Sequence, residues 1–186
     1  MNKILSFIIN DKNEFLSLLG SDKDPQFKKS FWYVVTGVCE NEDSSLKETV
    51  KREIKEETNL DVLESTYLNW ILKYKSLGND CIEYVFISRV NDTGIILNEE
   101  SIDYKWCSLE DFVNLIQWYG DKILLKKVLE EAINNKIYFK NDTDLVISDI
   151  NNSETTIGFK LPIEDKLYFI DLLNFQLQDK KVETVD

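Results

Sequence analysis

Three glutamates, Glu53, Glu56 and Glu57, lie at helical spacing within the stretch from Gly37 to Leu60. Side chains three or four positions apart share one side of a helix, so we expect these carboxylates to crowd together. Partly dehydrated carboxylates repel one another unless a cation lies between them. Oxygen ligands at this spacing suit a hard divalent cation, either Mg²⁺ or Mn²⁺. The spacing therefore predicts a metal site formed by the three glutamates.

A helix from Leu46 to Thr58 is predicted to carry these glutamates. Ser45 and Glu48 match a capping box, in which two side chains satisfy backbone N–H groups that are unpaired at a helix start. Asn59 follows, and asparagine tolerates the left-handed conformation that commonly ends a helix. With roughly 100° of rotation per residue, the glutamates fall within, beside or at the edge of the apolar stripe. The alternative is an ordinary solvated helix face, which would place its acids opposite that stripe.

The second half of the stretch resembles the Nudix box, usually written G-x5-E-x7-R-E-U-x-E-E-x-G-U, where U is an aliphatic residue. Arg52 to Leu60 match it, with Asn59 in place of the glycine. The resemblance implies a Nudix pyrophosphohydrolase, which hydrolyses a phosphoanhydride bond in a nucleoside triphosphate or another nucleoside diphosphate derivative. It further implies that the three glutamates hold Mg²⁺ or Mn²⁺, that Glu53 is a candidate catalytic group and that Arg52 orients the glutamates.

The first half of the box allows two alignments. Counting strictly back from Arg52 puts Val38 at the glycine position and Ser44 at the glutamate position. Allowing one inserted residue aligns Gly37 and Asp43 instead. How Arg52 is oriented depends on which alignment holds, because the outer acidic residue of the box is changed or shifted in both.

Two flanking stretches resemble the branch of the family that hydrolyses dATP or dihydroneopterin triphosphate. Trp32, Val35, Thr36 and Gly37 match its W-x-x-V-T-G entry into the box. Downstream, the segment from Glu100 to Trp106 matches its E-x-x-x-Y-x-W pattern. In that branch a glutamate at the first position of this pattern contacts metal or activates water.

Glu100 is therefore the predicted general base. The chain contains no histidine, which leaves a carboxylate as the only common general base. The same absence excludes Ser-His-Asp and Cys-His nucleophile systems and histidine metal sites. Glu99 is the immediate neighbour and could take the same role, and the alternative is that both are solvated loop acids.

Three further residues are candidates for binding the substrate. Lys28 and Lys29 lie in a polar loop that leads into the strand before the box, where they could meet phosphates. Trp32 could stack on a base. The alternatives are a solvated loop for the lysines and a core position for the aromatic ring.

The overall composition narrows the partners. A formal net charge of −12 argues against sequence-independent nucleic-acid binding, which needs lysine and arginine to displace counterions from phosphates. Cys39, Cys81 and Cys107 are an odd number without a C-x-x-C pair, so we expect reduced thiols. The apolar run from Leu5 to Ile9 is too short for a signal peptide or a membrane span. We expect a cytoplasmic protein that binds a small phosphorylated, nucleotide-like substrate and no membrane.

Strands interrupted by helices without regular alternation predict an α+β fold with a mixed sheet between helices. The resemblance identifies this arrangement as the Nudix α/β/α sandwich, occupying residues 1–135. The predicted strands are Ile4 to Ile9, Glu14 to Leu19, Phe31 to Gly37, Tyr67 to Tyr74, Cys81 to Val90 and Asp103 to Cys107.

Two helices are expected after the last strand. Ser108 and Asp111 resemble a capping pair for the first, and the second runs from Asp121 to Asn134. The predicted apolar face of the second helix consists of Ile123, Leu124, Val128 and Ile133.

Residues 136–186 are predicted to form a C-terminal extension. Segments 145–150 and 156–161 have strand character, 164–178 has helical character, and no stretch carries a chemical motif. We expect the extension to serve in packing or in a contact between two copies of the chain, as in a homodimer.

Two other functions stay open from the sequence. One is a Nudix-fold module that binds a nucleotide without hydrolysing it, which the changes at Val38, Ser44 and Asn59 motivate. The other is a structural or interaction domain whose C-terminal extension forms the partner surface.

Overall fold

The computed structural model describes residues 1–22, 29–76, 78–91, 94–118 and 120–134. Lys28, the predicted domain boundary and the predicted elements of the extension lie outside these residues. Within them no helix is both long and apolar enough to cross a membrane. The elements are β1 Asn2–Ile9, β2 Phe15–Gly20, β3 Trp32–Tyr33, β4 Val35–Val38, α1 Leu46–Thr58, β5 Val62–Ser76, β6 Asn79–Val90, β7 Ser101–Cys107, α2 Leu109–Leu115 and α3 Lys122–Ile133.

The described strands form one mixed sheet with β1 at its centre. β1 runs parallel to β6, which pairs in antiparallel fashion with β5. On its other edge β1 pairs with β4 from Lys3 to Ser6 and with β2 at Ile9. β2 in turn pairs with both β3 and β7. The sheet therefore divides beside β1 into two branches, one ending in β4 and the other in β3 and β7.

Helices cover both faces of the sheet, which confirms the predicted α+β sandwich. Successive side chains of a strand point to opposite faces. Leu5 and Phe7 of β1 accordingly pack in a core with α2 and α3, whereas Ile4 and Ile8 pack in a second core with α1. β1 is buried on both faces, which explains why it reads as a nearly continuous apolar run rather than an alternating one.

The aromatic segment predicted as one strand from Phe31 to Gly37 is two strands that meet at Val34. Tyr33 of β3 pairs with Leu18 of β2, whereas Thr36 of β4 pairs with Leu5 of β1. The chain changes its partner strand at this point because the sheet divides there. One continuous stretch of sequence thereby contributes to both branches of the sheet.

The predicted apolar face of α3 was wrong at Ile123, which is 82% exposed. Ile123 lies in the first turn, where its N–H and that of Leu124 donate to the capping Asp121 Oδ1 at 2.7 and 3.3 Å. The buried face is rotated toward the next positions of the helix. It consists of Leu125, Val128, Leu129 and Ala132.

Glu83 of β6 is a buried acid on the face of the sheet that carries α2 and α3. Its side chain is 4% exposed and accepts a hydrogen bond from Tyr74 Oη at 3.2 Å. Burial raises the pKa of Glu83 to about 7, and the charge of Lys3 and the Tyr74 hydrogen bond oppose the rise. The folded protein therefore favours the protonated form of this carboxyl.

This raised pKa predicts a pH-dependent contribution to stability. Below pH 4.5, the ordinary pKa of a glutamate, the buried carboxyl is neutral and burial has no charge penalty. As the pH rises to about 7, stability is lost, by about 3 kcal/mol at most, because the unfolded state releases the proton first. Glu83→Gln should remove this loss, as measured by urea unfolding between pH 4.5 and 8.

The exposed Glu64→Gln is the matched control and should leave the pH profile unchanged. A constant difference in unfolding free energy between wild type and Glu83→Gln across this range would contradict the assignment.

Candidate active site

Helix α1 has the predicted bounds and both predicted caps. Ser45 Oγ accepts a hydrogen bond from the Glu48 N–H at 3.3 Å. At the other end Asn59 adopts φ 60° and ψ 10°, and its N–H donates to the Lys55 carbonyl at 2.9 Å. Asparagine therefore takes the left-handed position that the box pattern assigns to glycine.

Gly37 of β4 lies directly against Glu53 of α1. A Cβ atom at position 37 would stand 1.9 Å from Glu53 Cδ and 2.1 Å from Glu53 Oε1. With the Glu53 carboxylate in this position only a glycine fits at residue 37, whereas Val38 is 40% exposed. The structure therefore supports the alignment with one inserted residue, in which Gly37 and Asp43 occupy the glycine and acidic positions of the box.

Arg52 connects the glutamates to the segment before the helix. Its Nε and Nη2 donate to the two carboxylate oxygens of Asp43 at 3.1 and 3.0 Å, a two-pronged pairing that fixes the guanidinium plane. Nη2 also donates to the Val38 carbonyl at 2.9 Å. On the other side Nη1 donates to Glu53 Oε1 at 2.9 Å and to Glu56 Oε2 at 3.3 Å. These contacts determine the orientation of Arg52.

Asp43 is itself held in place. Its Oδ2 accepts hydrogen bonds from Thr49 Oγ1 and from the Glu40 N–H, each at 2.9 Å. Burial alone would raise the pKa of Asp43, but the hydrogen bonds from Arg52, Glu40 and Thr49 outweigh burial and lower it. Asp43 therefore stays ionised beside Arg52 and replaces the longer acidic residue of the box pattern.

Glu57 is the buried member of the cluster, with 6% of its surface exposed. Burial raises its pKa well above the ordinary value, the charges of Glu100 and Glu53 add to the rise, and a hydrogen bond with the Thr36 backbone opposes it. Burial likewise raises the pKa of Glu53, against the attraction of Arg52. Within the described residues no lysine or arginine forms an ion pair with Glu57.

Glu100 lies close enough to the box for its charge to raise the pKa of both Glu53 and Glu57. Its backbone is held on two sides, because its N–H donates to Asn98 Oδ1 at 3.0 Å and its carbonyl accepts from the Ser21 N–H at 2.7 Å. The charge of neighbouring Glu99 is not among the principal influences on either glutamate. The charge of Glu100, and not that of its neighbour, therefore acts on two of the box glutamates.

The donor set fits a hard divalent cation. It consists of carboxylate oxygens only, and the dehydrated Glu57 lies among like charges without an ion pair to any cationic side chain of the described residues. In the present arrangement no three acidic or cysteine side chains of the described residues are grouped closely enough to hold an ion. Arg52 Nη1 instead contacts Glu53 and Glu56, the two glutamates beside Glu57.

Among the predicted substrate-binding residues, Lys29 is exposed and Trp32 is half-buried. Trp32 lines a pocket of about 450 Å³, and its carbonyl accepts a hydrogen bond from the Gln117 N–H at 2.8 Å. Sequence reasoning missed the far wall of this pocket, because its residues lie between the last turn of α2 and the start of α3 and reach Trp32 only through the fold. That wall includes Asn114, Gln117, Trp118 and Lys122.

An open hollow of about 490 Å³ lies on the outer side of α1. Its lining mixes cations such as Lys51 and Lys55 with the acids Glu48 and Asp61, and Glu53 and Glu57 do not border it. We therefore assign it no part in the chemistry.

Cys39 is near the carboxylates but is a poor nucleophile. Burial raises its pKa to about 11, and the charges of Asp43 and Glu53 add to this while Thr49 and Arg52 oppose it. The thiol is therefore protonated at neutral pH, in keeping with the structural role expected from the sequence.

Comparisons with known proteins identify the family of this chain. The NUDIX domain model matches residues 2–128. No curated protein matches the chain. Among solved structures, the MutT protein from Methanosarcina mazei Go1 is 27% identical with a TM-score of 0.57, covering 73% of this chain and 95% of that one.

Two further solved structures share the fold. A protein assigned to the NUDIX hydrolases from Listeria monocytogenes str. 4b F2365 is 27% identical with a TM-score of 0.55, covering 73% of this chain and 94% of that one. The E. coli dihydroneopterin triphosphate pyrophosphohydrolase is 20% identical with a TM-score of 0.53, covering 72% and 95%. At that identity the E. coli structure supports the fold alone. With its box helix, its glycine contact and a family match over most of its length, this chain belongs to the NUDIX family and is a Nudix pyrophosphohydrolase.

Proposed function

We propose that this enzyme uses Mg²⁺ or Mn²⁺ to hydrolyse a phosphoanhydride bond in a nucleoside triphosphate or a similar nucleoside diphosphate derivative. The observation that carries the proposal is the buried Glu57, whose pKa is raised by burial and further by the charges of Glu100, Glu53 and Glu56. Like charges acting on one buried carboxylate are unfavourable unless a cation offsets them. Substrate phosphates would otherwise be repelled by this cluster.

Glu53, Glu56 and Glu57 would hold the metal, with Arg52 as their positioning residue. A bound divalent cation neutralises charge that builds up on phosphate oxygens and lowers the pKa of an attacking water. Asp43 and the Val38 carbonyl keep the guanidinium of Arg52 in one orientation, from which it restrains two of the three glutamates. Arg52 then needs no contact with substrate to affect the rate.

Glu100 would accept the proton of the attacking water. It is exposed, so a water molecule can reach it, and its backbone is restrained by Asn98 and Ser21. A carboxylate on a restrained backbone, with its charge acting on the proposed metal ligands, supports this role, because a general base must lie within hydrogen-bond reach of the water. Glu53 is the alternative base, but its Oε1 already accepts a hydrogen bond from Arg52.

The pocket beside Trp32 would receive the base of the nucleotide. Trp32 and Thr36 are four positions apart, and the Thr36 backbone contacts Glu57, so at most about 13 Å of strand lies between the two places. Such a span suits a nucleotide whose base lies at Trp32 and whose phosphates lie at the glutamates. Lys28 and Lys29, in the loop that precedes Trp32, are proposed to meet the phosphates.

The features that motivated a non-hydrolytic binding module have structural replacements. Asp43 binds Arg52 in place of the outer box glutamate, Gly37 makes the glycine contact, and Asn59 closes the helix in the left-handed conformation. These replacements favour hydrolysis over binding alone. The identity of the base and sugar is also a matter of proposal. The sequence resemblance suggests dATP or dihydroneopterin triphosphate.

The proposed function leads to a prediction about the substrate. Purified protein with Mg²⁺ or Mn²⁺ should hydrolyse at least one compound in a panel of nucleoside triphosphates, dinucleoside polyphosphates, ADP-ribose and sugar nucleotides. Identification of the released products by chromatography and phosphate assay fixes the bond that is cleaved. Saturable nucleotide binding without turnover would instead indicate a binding module. An absence of both nucleotide binding and a saturable Mn²⁺ site would indicate an interaction domain.

The metal assignment predicts that Glu56→Gln or Glu57→Gln lowers turnover by about two orders of magnitude or more at saturating Mg²⁺, because each removes one charged ligand. Both variants should also bind Mn²⁺ more weakly, as followed by paramagnetic resonance. Glu48→Gln removes an exposed carboxylate from the same helix and should change neither quantity. Activity close to wild type in a folded Glu57→Gln protein would refute the assignment.

The base assignment predicts that Glu100→Gln lowers the maximal rate far more than it raises the Michaelis constant, because a base acts chiefly in the transition state. The adjacent Glu99→Gln is the matched control and should have little effect. If the two variants behave alike, or if Glu100→Gln changes only the Michaelis constant, then Glu53 becomes the leading candidate for the base.

A further inference from the structure

The indole of Trp32 contacts a lysine, and Trp32 also borders the pocket. Lys105 Nζ stands 4.7 Å from the centroid of the ring. Leu19 of β2 pairs with Trp32 and Ser17 pairs with Lys105, so both side chains project from the same face of the sheet. Lys105 does not line the pocket, whereas Trp32 and a second lysine, Lys122, do.

The charge of Lys105 is not neutralised by an ion pair. Its side chain is exposed, and it has no carboxylate partner within the part of the chain that the structure describes. The chain has a formal net charge of −12 and so offers many acidic partners, yet Lys105 contacts an aromatic ring instead of a carboxylate. Attraction between the ammonium and the negative face of the ring accounts for its position.

A cation beside an indole acts on whatever binds against that indole. The faces of an aromatic ring carry partial negative charge, and the ammonium draws on the field of that charge. A base stacked on Trp32, with ring centroids about 4.5–7 Å apart, would lie no more than roughly 12 Å from Lys105 Nζ, whichever side of the indole it meets. A positive charge on that base would be repelled, whereas a neutral base would not.

We propose that Lys105 is a specificity-determining residue that, through Trp32, disfavours a positively charged base and favours a neutral one. The proposal rests on the proposed function, because it assumes a nucleoside substrate whose base enters the pocket beside Trp32. It adds one residue, on β7, that does not line the pocket. It also adds the property by which substrates are selected, namely the charge of the base.

The test compares two ligands that differ in this charge. GTP carries a neutral guanine, and 7-methyl-GTP carries a fixed positive charge on a base of nearly the same shape. Their dissociation constants are measured by tryptophan fluorescence with Mg²⁺ present, in wild type and in Lys105→Met. The preference of wild type for GTP should fall by about threefold to tenfold in the variant, as expected for unit charges roughly 10 Å apart in a partly screened setting.

Control variants separate charge from packing. Lys105→Arg keeps a cation over the ring and should retain the preference, whereas Lys105→Gln should lose it as Lys105→Met does. Lys73→Met removes an exposed lysine from β5, on the opposite edge of the sheet, and should retain it. The preference of wild type should also shrink as salt is raised, because exposed charges are screened.

The outcomes are distinguishable. An unchanged preference in Lys105→Met, or equal weakening of both ligands, would mean that Lys105 only covers Trp32, and would overturn this proposal while nucleotide turnover leaves the proposed function intact. If wild type does not bind GTP but turns over another nucleotide, this proposal is likewise overturned and the proposed function stays intact. Absence of turnover with every compound of the panel overturns both.

Discussion

The ion pair between Arg52 and Asp43 is the interaction on which the candidate site depends. It joins the segment before α1 to the helix itself, and the two-pronged geometry leaves the guanidinium only one orientation. From there the remaining donors reach the Val38 carbonyl and two of the glutamates. A lysine could not make these contacts together, because a single ammonium lacks the planar fork.

The division of the sheet beside β1 gives the site its length. Where the chain changes partner strand at Val34, β4 pairs with β1 and packs against α1, whereas β3 pairs with β2. The two ends of this short segment therefore have different roles. Gly37 lets the backbone approach the carboxylates, and Trp32 forms a wall of the pocket.

Electrostatics at Glu57 oppose folding rather than support it. Burial and like charges both raise the pKa of Glu57, and no cationic side chain of the described residues pairs with it. Natural proteins keep such unfavourable groups chiefly where chemistry needs them, and the surrounding cores must outweigh the cost. The two apolar cores on either face of β1 supply that support.

The sequence by itself determined the box helix, its caps, the three glutamates and the mixed sheet, because capping, helical spacing and strand character are set by residues close together in the chain. Only the tertiary structure chose Gly37 and Asp43 over Val38 and Ser44, since that choice depends on how β4 approaches α1. The far wall of the pocket and the position of Lys105 over Trp32 were likewise decided by strand pairing and helix packing. Because such contacts join residues distant in sequence, patterns among neighbouring residues do not predict them.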